Sequence, residues 1–311
     1  MIEGILAIDH ADETSGVPKP LGYLVPRQGA KIRARLHPWA IAGVWAWQAA
    51  WSLLAAYPAA ALVGAAYGND PRGDLPLWEP GAHALLDLLR TDIHGVGAAG
   101  AGAAIVLVAA SLAGLLPLAG LMTAMAHATH GGRRVGASRA IGGAIGSARA
   151  LAGLFIAVSL AEGLAVAVAV GVGEVTEGSA HAWLGEARAQ MLGIAFGIVA
   201  IVPALALGVV HDLARAAVVR LQLGTLPAWV AGVRAFRRSP SRLVWSWTWR
   251  GIVGVVPVGL VALVAGRLAW RGGVALLALA ALHQAVALLR VALRASWLAR
   301  ALRTVELTNE G

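Results

Sequence analysis

The sequence predicts an all-α, polytopic membrane protein. It reads as a bundle of six spanning helices, with basic interfacial helices on the cytoplasmic side and both termini in the cytoplasm. Three observations carry that expectation. Hydrophobic residues make up 59% of the chain and charged residues only 13%, against roughly a quarter charged in soluble domains. Six stretches are apolar over the roughly 20 residues that a helix needs to cross a bilayer. The basic residues between those stretches alternate from one side to the other.

The apolar windows cover residues 38–63, 96–122, 150–172, 191–210, 251–270 and 274–297. Together they form a transmembrane domain over residues 28–303, between a polar N-terminal segment (1–27) and a short C-terminal tail (304–311). The first 36 residues carry Glu3, Asp9, Asp12 and Glu13 and lack the apolar core of a signal sequence. The first spanning helix is therefore expected to act as the internal targeting signal.

Loop charges orient the map. Lys19, Arg27, Lys31, Arg33 and Arg35 precede the first window. Arg133, Arg134, Arg139 and Arg149 separate the second from the third. Seven arginines, Arg215 to Arg250, lie between the fourth and fifth, and Arg290, Arg294, Arg300 and Arg303 close the chain. Only Arg72, Arg90, Arg188, Arg267 and Arg271 fall on the other side. A missed or spurious helix would break that alternation. The opposite loops are acidic, with Asp70, Asp74, Glu79, Asp87 and Asp92 in the first and Glu174, Glu177 and Glu186 in the second. Within the first outer loop, residues 82–90 place leucines at helical spacing with charge opposite, as in a short interfacial helix.

Basic amphipathic stretches at 28–36, 139–149 and 227–238 each lead into a membrane hairpin, a pseudo-threefold plan. The third is the best defined. Val230, Val233 and Phe236 line one face, with Arg234, Arg237 and Arg238 beside them. Pro227 suits a first helical position. The Ser-Pro-Ser at 239–241 breaks the helix, with Ser241 a candidate cap for the next. Trp245, Trp247 and Trp249 then mark a headgroup level. Arg234, Arg237, Arg238 and Arg242 are the candidate contacts to anionic headgroups, each surface cation contributing about 1 kcal/mol.

Chemistry-bearing residues are sparse. Cysteine is absent, which excludes disulfides and thiolate chemistry. The run at 95–102 has GxG spacing but follows no strand, so it is no dinucleotide loop. Gly193 and Gly197 form a small-xxx-small pair suited to close helix packing. Pro58, Pro117, Pro203 and Pro257 lie in separate helices, where prolines kink the helix and free a carbonyl. Glu162 stands near the middle of the third window, where a carboxylate is costly. With Gln48, Ser111, His283, Gln284 and Arg290 it forms a candidate polar layer at membrane depth. Glu162 is expected to face the sixth helix, within reach of His283 or Gln284. A second cluster, His127, His130, His211 and Asp212, could support interfacial acid–base chemistry only if all four converge. Asp212 is otherwise expected to pair with Arg215 or Arg220. No catalytic set, metal site or cofactor is expected.

The segments "HDLARAAVV" (211–219), "AFRRSPSRLVW" (235–245) and "LHQAVALLRVALRASWLARAL" (282–302) carry a resemblance. The chain resembles a group of uncharacterised six-helix bacterial membrane proteins over roughly residues 35–305. That group is similar in layout to the membrane domain attached to some glycerophosphodiester phosphodiesterases. The resemblance implies a scaffold or accessory role and brings over no active-site residue.

The function expected from all this is a non-enzymatic scaffold or accessory protein of a bacterial inner membrane, its basic face against anionic lipid. The alternatives are a small-solute or lipid transporter using the polar layer at Glu162, His283 and Arg290, and a lipid-modifying interfacial enzyme. Expected partners are membrane lipids and a further membrane protein or second copy of the chain, with no nucleic acid.

Overall fold

A computed structural model of the chain describes residues 25–26, 32–69, 83–128, 134–268 and 273–309. They form helices α1 (Pro38–Tyr67), α2 (His83–Thr91), α3 (Ile93–Ala113), α4 (Leu115–Ala126), α5 (Ala137–Leu184), α6 (Glu186–Leu221), α7 (Thr225–Arg238), α8 (Pro240–Leu268) and α9 (Gly273–Asn309). A two-residue antiparallel pairing joins β1 (Val25–Pro26) to β2 (His127–Ala128).

Five of these segments are long and apolar enough to cross a membrane. The count is six if the bent pair Leu205–Leu221 with Thr225–Arg238 is one span; its two arms turn by 119°. The second apolar window is not one helix. It divides at Gly114 into α3 and α4. Pro117 lacks an N–H and crowds the carbonyl four residues back, that of Ala113, so the turn before it cannot close regularly.

Of the three basic stretches, only the third is a helix of its own, α7. In the first, the described residues 32–36 hold a 3-10 turn, Ala34–Leu36. The second is the opening of α5, continuous with the apolar run that follows. The pseudo-threefold plan therefore does not extend to three alike interfacial helices. α7 starts two residues before Pro227, and α8 starts at Pro240, which leaves Ser241 inside its first turn. The C-terminal stretch expected as a tail is helical as far as Asn309, with Val305, Glu306 and Thr308 buried. The expected N-terminal segment lies outside the described residues except for β1.

The core sits at the arginine-rich end of the bundle. Residues 209–220 of α6 are buried on every face. Their sequence explains it: alanine and valine all round, with only His211, Asp212, Arg215 and Arg220 polar. A helix apolar around its circumference must be surrounded. Leu121, Met122 and Met125 of α4, Ala228 and Ala235 of α7, and Trp297, Leu298 and Leu302 of α9 close around it. Gly232 of α7 lets that helix lie directly on α6. A Cβ there would stand 2.8 Å from the Ala214 amide nitrogen and 2.9 Å from the Val210 carbonyl oxygen.

Polar ties fasten the same end. Arg220 donates from Nη1 to the Ala126 carbonyl at 2.7 Å and from Nη2 to Glu306 Oε1 at 2.6 Å. Three helix ends, those of α4, α6 and α9, thus meet at one buried guanidinium. Toward the other end, α1 and α3 stay in contact where Gly102 faces the Pro58 ring.

Candidate functional site

Asp212 organises the polar interior. Its side chain is 1% exposed, and burying a carboxylate is costly unless donors replace its water. Four donors do so. Oδ1 accepts from Arg294 Nη2 and, at 3.4 Å, from Arg215 Nη1. Oδ2 accepts from the indoles of Trp297 at 2.8 Å and Trp247 at 3.2 Å. Helical spacing makes the arrangement available. Asp212 and Arg215 are three apart on α6, as are Arg294 and Trp297 on α9, so each pair shares a face.

On the open side of this network lies a cavity of about 880 Å³. Most of its lining comes from four helices. α8 contributes Trp247, Arg250, Gly251 and Gly254, and α9 contributes Ala287, Arg290, Arg294 and Trp297, both at three- and four-residue spacing. α1 supplies Trp45, Gln48 and Trp51, and α3 supplies Leu107 and Ser111. Arg215, Arg250, Arg290 and Arg294 all line it, and no carboxylate does among the described residues.

These guanidiniums are differently engaged. Arg250 donates from Nε to Ser296 Oγ at 2.9 Å and from Nη1 to the Ser246 carbonyl at 2.6 Å. Its partners are neutral. Arg215 Nε is buried without a partner. Arg290 makes no hydrogen bond or ion pair among the described residues, and its stem lies alongside Gly254. The cavity thus presents spare N–H donors and positive charge in excess of its carboxylates.

The residues expected as a polar layer divide. Gln48, Ser111, Gln284 and Arg290 meet in this cavity. Glu162 and His283 do not line it. Glu162 is exposed on α5, and the contact expected with His283 or Gln284 is not formed. It remains within electrostatic range of Arg215. His283 donates from Nδ1 to the Leu279 carbonyl one turn back, at 2.9 Å. Ser111 likewise satisfies its hydroxyl on the Leu107 carbonyl at 2.8 Å.

Among the expected headgroup contacts, Arg234, Arg237 and Arg242 are exposed. Arg238 is exposed too, yet it donates to the Leu307 carbonyl at 3.1 Å. His130 lies outside the described residues. His127 pairs with its own helix, Nδ1 lying 3.3 Å from the Thr123 carbonyl. Asp212 bonds arginines and tryptophans, not histidine. The residues described hold no cluster of three or more metal-ligating side chains.

Arg215, Arg250 and Arg294 as cavity residues escape a reading by loop charge, which treats each arginine as a marker of side. The available signal was periodicity: Arg290, Arg294 and Trp297 recur at four- and three-residue spacing. Comparison with family models, with curated proteins and with solved structures found no match in any of the three.

Proposed function

We propose that this is a six-span membrane protein that binds an anionic ligand in the cavity between α1, α3, α8 and α9, as a carrier or binding protein. One observation carries the reading: among the described residues, four guanidiniums and no carboxylate line a cavity within the bundle. Partly buried guanidiniums are costly unless they are paired or hydrated. An anion in the cavity offsets that cost, and planar guanidiniums suit the oxygens of phosphate or carboxylate. The loop-charge alternation puts the arginine-rich end in the cytoplasm, and composition favours a bacterial inner membrane.

The segments behind the resemblance, 211–219, 235–245 and 282–302, contain Asp212, Arg215, Arg290, Arg294 and Trp297. Of these, Arg215, Arg290, Arg294 and Trp297 line the cavity, while the segment 235–245 contributes no lining residue.

The test is thermal unfolding of purified protein in neutral detergent, with inorganic phosphate and with dodecyl phosphate. At least one anion is expected to raise the midpoint of the wild type, and Arg290→Gln to abolish the rise. No rise with either anion would falsify the reading.

A scaffold on anionic lipid is the second reading. The observation favouring it is α7, which carries exposed Leu226 and Val230 beside exposed Arg234 and Arg237. It predicts that the protein prefers anionic over zwitterionic lipid, and that Arg234→Gln with Arg237→Gln removes the preference.

A further inference from the structure

Resting on the anion-site reading, we infer that the occupant is a lipid with a phosphomonoester headgroup, admitted sideways from the leaflet at the arginine-rich end. Three observations point there.

The first is the shape of the surrounding packing. α8 packs against α9 and α6 but makes no extended contact with α1 or α3, which pack on each other. The cavity occupies the gap between α8 and this α1–α3 pair, beside the contact of α1 with α9. Leu107 and Val255 line it and are also 56% and 61% exposed. On spanning helices such exposure faces hydrocarbon, so the walls of the site continue into the bilayer. A water-soluble anion needs no apolar portal of this kind, whereas a lipid leaves its chains in one.

The second is depth. Arg290 lies about 26 Å along α9 from its start at Gly273, and Arg294 about 32 Å, at 1.5 Å per residue. The hydrocarbon core is roughly 30 Å thick. The guanidiniums therefore stand where the phosphates of one leaflet stand. Trp45, Trp247 and Trp297 line the cavity with them, as indoles do at a headgroup level. Trp51, Ser111 and Leu107 continue the cavity toward the opposite end of the helices, along the course of an acyl chain.

The third is charge. Four arginines line the site. Asp212 offsets one of them, and Glu162, acting on Arg215 from a distance, at most one more. The remaining positive charge matches a phosphomonoester, which carries about −1.5 to −2 near neutral pH, better than the single charge of a phosphodiester. Arg290 supplies the unused donors.

The experiment uses the full chain in nanodiscs of phosphatidylcholine doped with equal small amounts of phosphatidic acid and phosphatidylglycerol. The lipids retained after extraction into neutral detergent are read by native mass spectrometry. Phosphatidic acid is expected to be retained roughly tenfold over the other two, as one or two charge-assisted hydrogen bonds allow. Arg290→Gln and Arg250→Gln should bring it down to the level of phosphatidylcholine. Arg234→Gln with Arg237→Gln, on the surface of α7, should leave it unchanged. Arg290 has no partner to lose, so its variant keeps the wild-type unfolding midpoint without ligand.

Equal retention of all three lipids means that bulk lipid fills the gap, and overturns the inference. Equal retention of phosphatidic acid and phosphatidylglycerol overturns the monoester assignment. If inorganic phosphate raises the midpoint while no lipid is preferred, the anion site stands and the lipid inference falls. If no anion of any kind binds, both fall.

Discussion

The indole of Trp297 donates to the Asp212 carboxylate at 2.8 Å, and both side chains are almost wholly buried. Eighty-five positions separate them in the chain. The bond therefore links the arginine-rich ends of α6 and α9, and the Trp247 indole adds α8 to the same carboxylate. A fully satisfied polar network of this kind specifies one arrangement of helices. It also presents Arg294 and Arg215 to the cavity at fixed positions.

Asp212→Asn keeps the size of the side chain but removes its charge. Arg294 and Arg215 would then be held next to a neutral amide, and one amide hydrogen would face an indole N–H. Breaking one side of a buried charge pair costs roughly 3–5 kcal/mol. The variant is expected to unfold at a clearly lower midpoint in detergent. Adding Arg294→Gln should recover part of the loss, because the second change removes the uncompensated cation. Additive losses in the double variant would count against direct coupling.

Much of this architecture was legible in the sequence, for a stated reason. Hydropathy acts over whole segments, so an all-helical chain with five or six helices long and apolar enough to cross a membrane follows from it. Contacts between segments do not. Arg220 stands eight positions after Asp212, and sequence proximity favours that pair. The structure gives Arg220 to Glu306 instead, 86 positions away; Asp212 forms the expected pair with Arg215 at 3.4 Å and adds Arg294 from α9. Glu162 misled for the opposite reason. Its depth on the helix is readable from sequence, but which side of a helix faces the bundle depends on neighbours. Leu160 and Leu164, on either side of Glu162, are exposed as well.

Removing residues 304–311 tests the difference between a tail and a helix end. A tail is dispensable. Here Val305 and Glu306 are buried, and Glu306 holds the guanidinium of Arg220 at 2.6 Å. Truncation is expected to lower stability by about 3 kcal/mol or more, since it leaves a buried cation without its carboxylate. Glu306→Gln should reproduce most of that loss in the intact chain.

Gly232 should tolerate no side chain. An added Cβ meets backbone atoms of α6 on two sides, so neither can swing away. Gly232→Ala is expected to cost roughly 1–3 kcal/mol as an overpacked contact. Gly259 in α8 has open space around it, and Gly259→Ala should gain about 0.5–1 kcal/mol from helix propensity. Paired unfolding measurements in one detergent compare the two directly.

His127 gives the fold a pH dependence. Burial lowers its pKa below the ordinary 6.5, the bond to Thr123 opposes that shift, and the charge of Arg220 adds to it. The folded imidazole therefore takes up its proton at a lower pH than the unfolded one, so unfolding binds protons as the pH drops through about 6.5. Its contribution is intact above that value and declines below it. Between about pH 7.5 and about pH 5.5 the wild type should lose more stability than His127→Gln. Equal slopes for the two proteins would remove His127 as the cause.

The six-span map makes a prediction about sides. The crossing that decides the count is α6, because its last turns and α7 form a pair bent by 119°. If α6 spans, its two ends face opposite compartments. The chain has no cysteine, so single substitutions report without background. Asn69→Cys after α1, Glu186→Cys at the start of α6 and Leu226→Cys at the start of α7 are all at exposed positions. The first two should react with an impermeant maleimide from the same side of the membrane, and the third only from the other. Labelling of 186 and 226 from one side would make α6 re-entrant. The arginine cavity would then no longer sit between two leaflets of known orientation. Labelling of 69 with 226 would place both ends of α1 on the arginine-rich side and remove that helix from the spans.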